Sequence, residues 1–238
     1  MSWFDFVAVE LVSLVSGKLN EDELDGYTIG STISSFMQPF SYAVCIACLT
    51  YVGISIGNFN PKQAKRYLWA CLYWIWLSSA FLIAISLPFM NSLLKNFTPD
   101  GESQKYAAGV FVWSLILAPF DGSGLIMSSA VKSIGLEKPG SVLVGICDFL
   151  IFLPVTWLLT FPLGLQPDGL VIGTLIGKLA KIACYSYLFV TNDWEKLSEK
   201  LSKIIRDKKL HAMPDDDPEA KQSITSDMPN NKVLPTNI

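Results

Sequence analysis

Long apolar stretches follow one another along this chain, separated by short polar loops. Most are about 20 residues or longer, enough to cross a hydrocarbon core of ~30 Å as a helix. No water satisfies the backbone inside a bilayer, so each stretch must close its hydrogen bonds internally. The reading is an all-α, polytopic membrane protein. Six transmembrane helices are expected, at about residues 3–16, 27–56, 67–94, 106–131, 140–161 and 169–190.

Composition agrees, since only 16% of residues are charged against about 25% in a soluble domain. Those charges crowd into the loops and the tail. The first stretch has neither a basic start nor a small-residue cleavage site, so it does not read as a signal peptide. Pro39 is expected to kink the second stretch. Trp69, Tyr73, Trp74 and Trp76 favour headgroup level. Residues 193–212 carry Trp194, Leu197, Leu201 and Ile204 at helical spacing among lysines and glutamates, which predicts an amphipathic helix on the membrane or capping the bundle. Residues 213–238 read as a disordered tail.

Lys and Arg mark the cytoplasmic side. Lys62, Lys65, Arg66, Lys132 and Lys138 lie in loops of one parity, with six more basic residues in 193–212. Lys18, Lys95 and Lys105 lie in loops of the other. Both termini are expected to be cytoplasmic, with an even number of spans. That count needs the short first stretch.

Soluble-type catalysis is not expected, because no P-loop, phosphate cradle or nucleophile–His pair is present. Cys45-x-x-Cys48 has metal or redox spacing, but no second Cys/His pair completes a site. No cofactor is expected, and no basic, aromatic-interleaved patch suggests nucleic acid.

Ionisable residues inside spans are costly and face a cavity, a pathway or a partner charge. Asp5 and Glu10 lie in the first stretch, roughly 140° apart on a helix. Asp121 follows Pro119, among Gly122, Gly124, Ser128 and Ser129, which predicts a polar, irregular spot suited to an ion or solute. Glu10, Asp121 and Asp5 are the candidates for transport or ion coupling. Asp148 faces the choice of Lys178 or Lys181 as a structural ion-pair partner, and those lysines, at i,i+3, share a helix face.

Residues 52–66, VGISIGNFNPKQAKR, resemble the cytoplasmic loop between the second and third helices of one lobe in the MATE (multidrug and toxic compound extrusion) antiporter family. Phe120-Asp121-Gly122, with residues 128–135, resembles that family's F-D/E-G segment and the stretch after it. Leu153-Pro154, residues 169–173 and the Asn192-Asp193-Trp194-Glu195-Lys196 run resemble the later helices and the start of the tail. Order and spacing over about residues 1–200 point to the C-terminal six-helix lobe of a eukaryotic-type member. The resemblance places Glu10 on the acidic position of the seventh helix, Asp5 near a second acidic position and Asp121 on the acid of the tenth. It implies a secondary antiporter exporting organic solutes, drugs or xenobiotics in exchange for H⁺ or Na⁺. Departures are Tyr51 where many members have arginine, Phe59 in place of a loop glycine, no acid near Thr32, and Lys178 and Lys181 in the last helix.

One lobe cannot easily rock against another by itself. The expected partners are therefore the lipid bilayer, a small organic solute or cation, H⁺ or Na⁺, and a second copy or a separate N-terminal lobe. Half of a full transporter and a truncated gene model are both open readings. The alternative is a non-transporting interaction or regulatory subunit derived from such a lobe. The expected location is the plasma membrane or a vacuolar or other endomembrane.

Overall fold

A computed structural model describes the backbone of residues 2–97 and 101–212, and the expected disordered tail lies outside these described residues. The described chain is helical throughout: α1 Ser2–Ser16, α2 Glu21–Ser35, α3 Gln38–Gly57, α4 Pro61–Phe97, α5 Gly101–Ser133, α6 Glu137–Ile146, α7 Leu153–Thr160, α8 Gln166–Thr191 and α9 Trp194–Ala212. A π-helical turn, Cys147–Phe152, joins α6 to α7 without a break.

Five units are long and apolar enough to span a membrane: α3, α4, α5, the α6–α7 unit and α8. The six-span expectation thus meets five helices of membrane length. The shortfall is α1, whose 15 residues reach only about 22 Å.

The second expected span starts earlier than its apolar run. Glu23 turns back to accept the Asn20 amide at 3.1 Å, which caps α2 inside the supposed polar loop. At Pro39, where a kink within one span is expected, the rod divides into α2 and α3. Its ring cannot sit over the carbonyl four residues back, at Ser35. The chain therefore tightens to three-residue turns at Phe36 and Met37, and α3 restarts. Proline does not have this effect everywhere. Helix α5 runs unbroken through Pro119, so the irregular backbone expected around Asp121 is regular helix. The irregularity falls instead on the π turn, where the Leu153 N–H reaches the Asp148 carbonyl five residues back.

Helix α5 is the hub, packed by α2, α3, α4 and α8. Residues at four-residue spacing build the main core: Cys48, Val52 and Ile56 on α3, Ala64, Leu68 and Leu72 on α4, Ile126 and Ala130 on α5. Helix α9 seals one end of this core. Trp194 is buried in the same cluster as Ile56 and Ala64 with Lys65 5.4 Å over its ring, and the Ser198 hydroxyl donates to the Ile56 carbonyl at 2.9 Å. Where its side chains are described, the start of α9 packs on this end of the bundle.

Helix α8 approaches the α6–α7 unit through a glycine stripe. A methyl group on Gly169 would strike the backbone at Thr160, one on Gly173 the Thr156 Cα, and one on Gly177 the Phe152 ring. Small residues at four-residue spacing let helices meet at backbone distance. The next residue in that register is Lys181.

Candidate functional site

Lys181 continues the glycine stripe, so it points at the α6–α7 unit and meets the π turn. Its ammonium lies 2.5 Å from Asp148 Oδ1 and also pairs with Asp5 of α1. Asp148 is wholly buried and Lys181 nearly so, at 8% exposure. Lys178 is about 60° away around α8, which turns it toward α5. There its ammonium donates to Asp121 Oδ1 at 2.6 Å.

Asp5 and Asp121, the candidates for ion coupling, are therefore held by the same lysines that were expected only to pair with Asp148. The five groups gather in one charged cluster across α1, α5, α8 and the π turn, in two ion-paired sets: Lys178 with Asp121, and Lys181 with Asp5 and Asp148. With every group ionised, its three carboxylates and two ammoniums carry one net negative charge. Charges in such surroundings survive only when paired and hydrogen-bonded.

Glu10 does not join this network. Ala8 and Val12 face the core against Phe152 and Leu170. Glu10 is two residues from each, roughly 200° around the helix, so it is exposed. It lines neither of the two cavities that flank the network.

The first cavity, about 480 Å³, is walled by Asp5, Asp121, Lys178 and Lys181, with Gln38, Tyr42, Ser128, Lys132 and Tyr185 adding donors and acceptors. The second, about 390 Å³, shares Asp121 and Lys178 and adds Tyr27, Thr174 and a row of serines from α2. Both volumes fall in the range of small-molecule sites. Gln38, Tyr42 and Tyr185 were not singled out in the sequence. Gln38 precedes the proline that restarts α3, a position at which a polar side chain lies beside a broken helix. Tyr42 follows it by one turn.

The cysteines take no metal-like arrangement among the described residues. The Cys45 thiol lies 2.7 Å from the Ser129 hydroxyl, whereas Cys48 is core.

Comparison with known proteins places this architecture. The MatE family profile matches residues 4–158. The chain is 28% identical over 200 residues to the uncharacterized transporter C4B3.13 of Schizosaccharomyces pombe, covering 82% of this chain and 36% of the relative. It is 22% identical over 204 residues to multidrug and toxin extrusion protein 2 of Oryctolagus cuniculus, covering 85% of this chain and 34% of that protein. Among solved structures it superposes on the MATE transporter ClbM in complex with Rb⁺, with a TM-score of 0.74 at 20% identity, covering 84% of this chain and 47% of that one. The chain spans only about a third to two fifths of the length of its curated relatives. Its helices, its order of elements and the profile match over most of its length lead to one assignment: this chain belongs to the MatE family.

Proposed function

We propose that the chain works as one lobe of a secondary antiporter that exports organic solutes in exchange for H⁺ or Na⁺. The observation that carries this reading is the charged cluster of Asp5, Asp121, Asp148, Lys178 and Lys181, with Asp121, Asp148, Lys178 and Lys181 inside membrane-length helices and the cluster bordering two cavities. Ionisable groups inside spans, beside a space of small-molecule size, are what coupling an ion to a solute requires. The family's transporters, and the cation held by one solved relative, support the same reading.

Alternating access needs two bodies that move against each other. The working unit is accordingly this lobe paired with a second copy or with an N-terminal lobe. Basic residues Lys62, Lys65, Arg66, Lys132 and Lys138 flank the turns that α9 covers, which supports a cytoplasmic position for that end and for both termini.

The test is flux. The full chain is reconstituted in liposomes loaded with acidic buffer, and uptake of a fluorescent organic solute is followed after the pH step. Uptake is expected for the natural chain, with a loss of at least tenfold in Asp121→Asn. Undiminished uptake by that variant removes Asp121 from the mechanism. No uptake by the natural chain, either alone or co-reconstituted with the N-terminal lobe of a relative, favours the second reading, a non-transporting interaction or regulatory subunit. That reading draws on the lysine pairing of Asp5 and Asp121, which leaves each carboxylate already engaged.

A further inference from the structure

We propose that Lys178 is a resident cation: its ammonium occupies the place beside Asp121 that a monovalent ion, or the charged end of a cationic solute, would take. The inference rests on the transporter reading above and narrows it. The cavity then accepts solutes without net positive charge, and the ion exchanged at Asp121 is not Na⁺.

An ammonium is a compact single positive charge with three donors. At 2.6 Å from Asp121 Oδ1 it fills the carboxylate's near side as a bound ion would. Unlike a free ion, it is tethered. An intramolecular partner acts at a high effective concentration and cannot diffuse away. Helix α8 holds the tether in place, because Gly177, next to Lys178, is packed directly on Phe152.

Lys181 repeats the arrangement one turn on, where it engages Asp5 and Asp148. Both carboxylates that line the larger cavity therefore already carry an ammonium. The same wall also presents Lys132. An arriving cation would have to displace a tethered one and lie among like charges, which disfavours it.

A purely structural clasp between α5 and α8 would also use this pair, but it makes a different prediction. Removing the lysine from a clasp weakens the bundle and does nothing else. Removing a resident cation opens a vacancy that an ion can fill.

The experiment measures equilibrium binding of radiolabelled Rb⁺ to the purified full chain in detergent micelles, with thermal melting on the same samples. The natural chain is expected to show no saturable binding, as is Lys178→Arg. Lys178→Gln is expected to bind Rb⁺ at least roughly tenfold more tightly than the natural chain, and the added change Asp121→Asn should abolish the gain. A ligand that binds only the folded state raises its melting temperature. A weakly folded Lys178→Gln should therefore recover in RbCl and not in N-methylglucamine chloride. Saturable, Asp121-dependent Rb⁺ binding by the natural chain overturns the proposal. So does a Lys178→Gln chain that neither binds Rb⁺ nor melts differently in the two salts. The readout is ion binding alone, so a failed solute-flux assay would count against the transporter reading and not against this one.

Discussion

Asp148 is a carboxylate with no exposed surface, and the ammonium beside it is nearly as enclosed. Breaking such a pair from one side leaves a charge without compensation, whereas replacing both partners by apolar groups is close to neutral. Lys181→Met is therefore expected to cost about 3–5 kcal/mol. The double change Asp148→Leu with Lys181→Met should recover the part owed to buried Asp148, leaving only the smaller loss at half-exposed Asp5. Unfolding of purified chain in mixed micelles measures both, and equal loss in the single and double variants would show that the pair does not carry this energy. At this scale the sequence offered Asp148 a choice of Lys178 or Lys181, and the structure pairs it with Lys181; the lysine pairing of Asp5 and Asp121 was not read. Lys178 and Lys181 are legible as one helical face. Which of them meets Asp148 depends on which helix packs against which side of α8. The clue was the run Gly169, Gly173, Gly177, whose four-residue register ends on Lys181. Glu10, named with Asp5 and Asp121 for ion coupling, lies outside these ion pairs, because the register of Ala8 and Val12 turns it outward.

That same glycine run decides how close α8 can come to its neighbour. A β-carbon at Gly173 would overlap the Thr156 side chain and press on its backbone. Overpacking at such a contact costs about 1–3 kcal/mol, so Gly173→Ala should lower the melting temperature and push Lys181 away from Asp148. Gly53, with open space around its α-carbon, is the matched control: Gly53→Ala should leave the melting temperature unchanged or slightly raised. Both are read in one thermal scan. Two turns show how much local chemistry the sequence carries. After α5, the Gly135 N–H bonds the Lys132 carbonyl and the Leu136 N–H the Val131 carbonyl, with Gly135 at φ 76°. After α3 the same two-bond cap recurs, but its left-handed residue is Phe59, at φ 55°. A residue with a side chain holds that conformation at a cost of about 1–2 kcal/mol. The departure from glycine noted in the sequence therefore falls where the backbone most wants one. Proline was the less dependable guide: Pro39 ends a helix, Pro119 does not, and nothing local distinguishes them. The π turn left no signature apart from Asp148 near Pro154.

For the molecule as a whole, apolar length gave the helical bundle, and the basic loops gather at one end of it. The turns after α3 and α5 converge on one end, and α9 covers them, with Leu201 against Gly135. Basic loops scattered along the sequence thus become one basic face. If that face is cytoplasmic, a tag on the C-terminus should be cut by protease only from the cytoplasmic side of sealed membrane vesicles. Cleavage from the opposite side alone would reverse the orientation. The number of spans was less legible, because α1 is too short to be counted by length and only its packing against α6, α7 and α8 places it in the bundle.

Asp121 and Lys178 belong to both cavities. Their ion pair therefore stands on the boundary that the two spaces share. A solute lying in either space, of about 480 or 390 Å³, meets the same two charges. Two recesses with different walls thus put one common demand on whatever enters them.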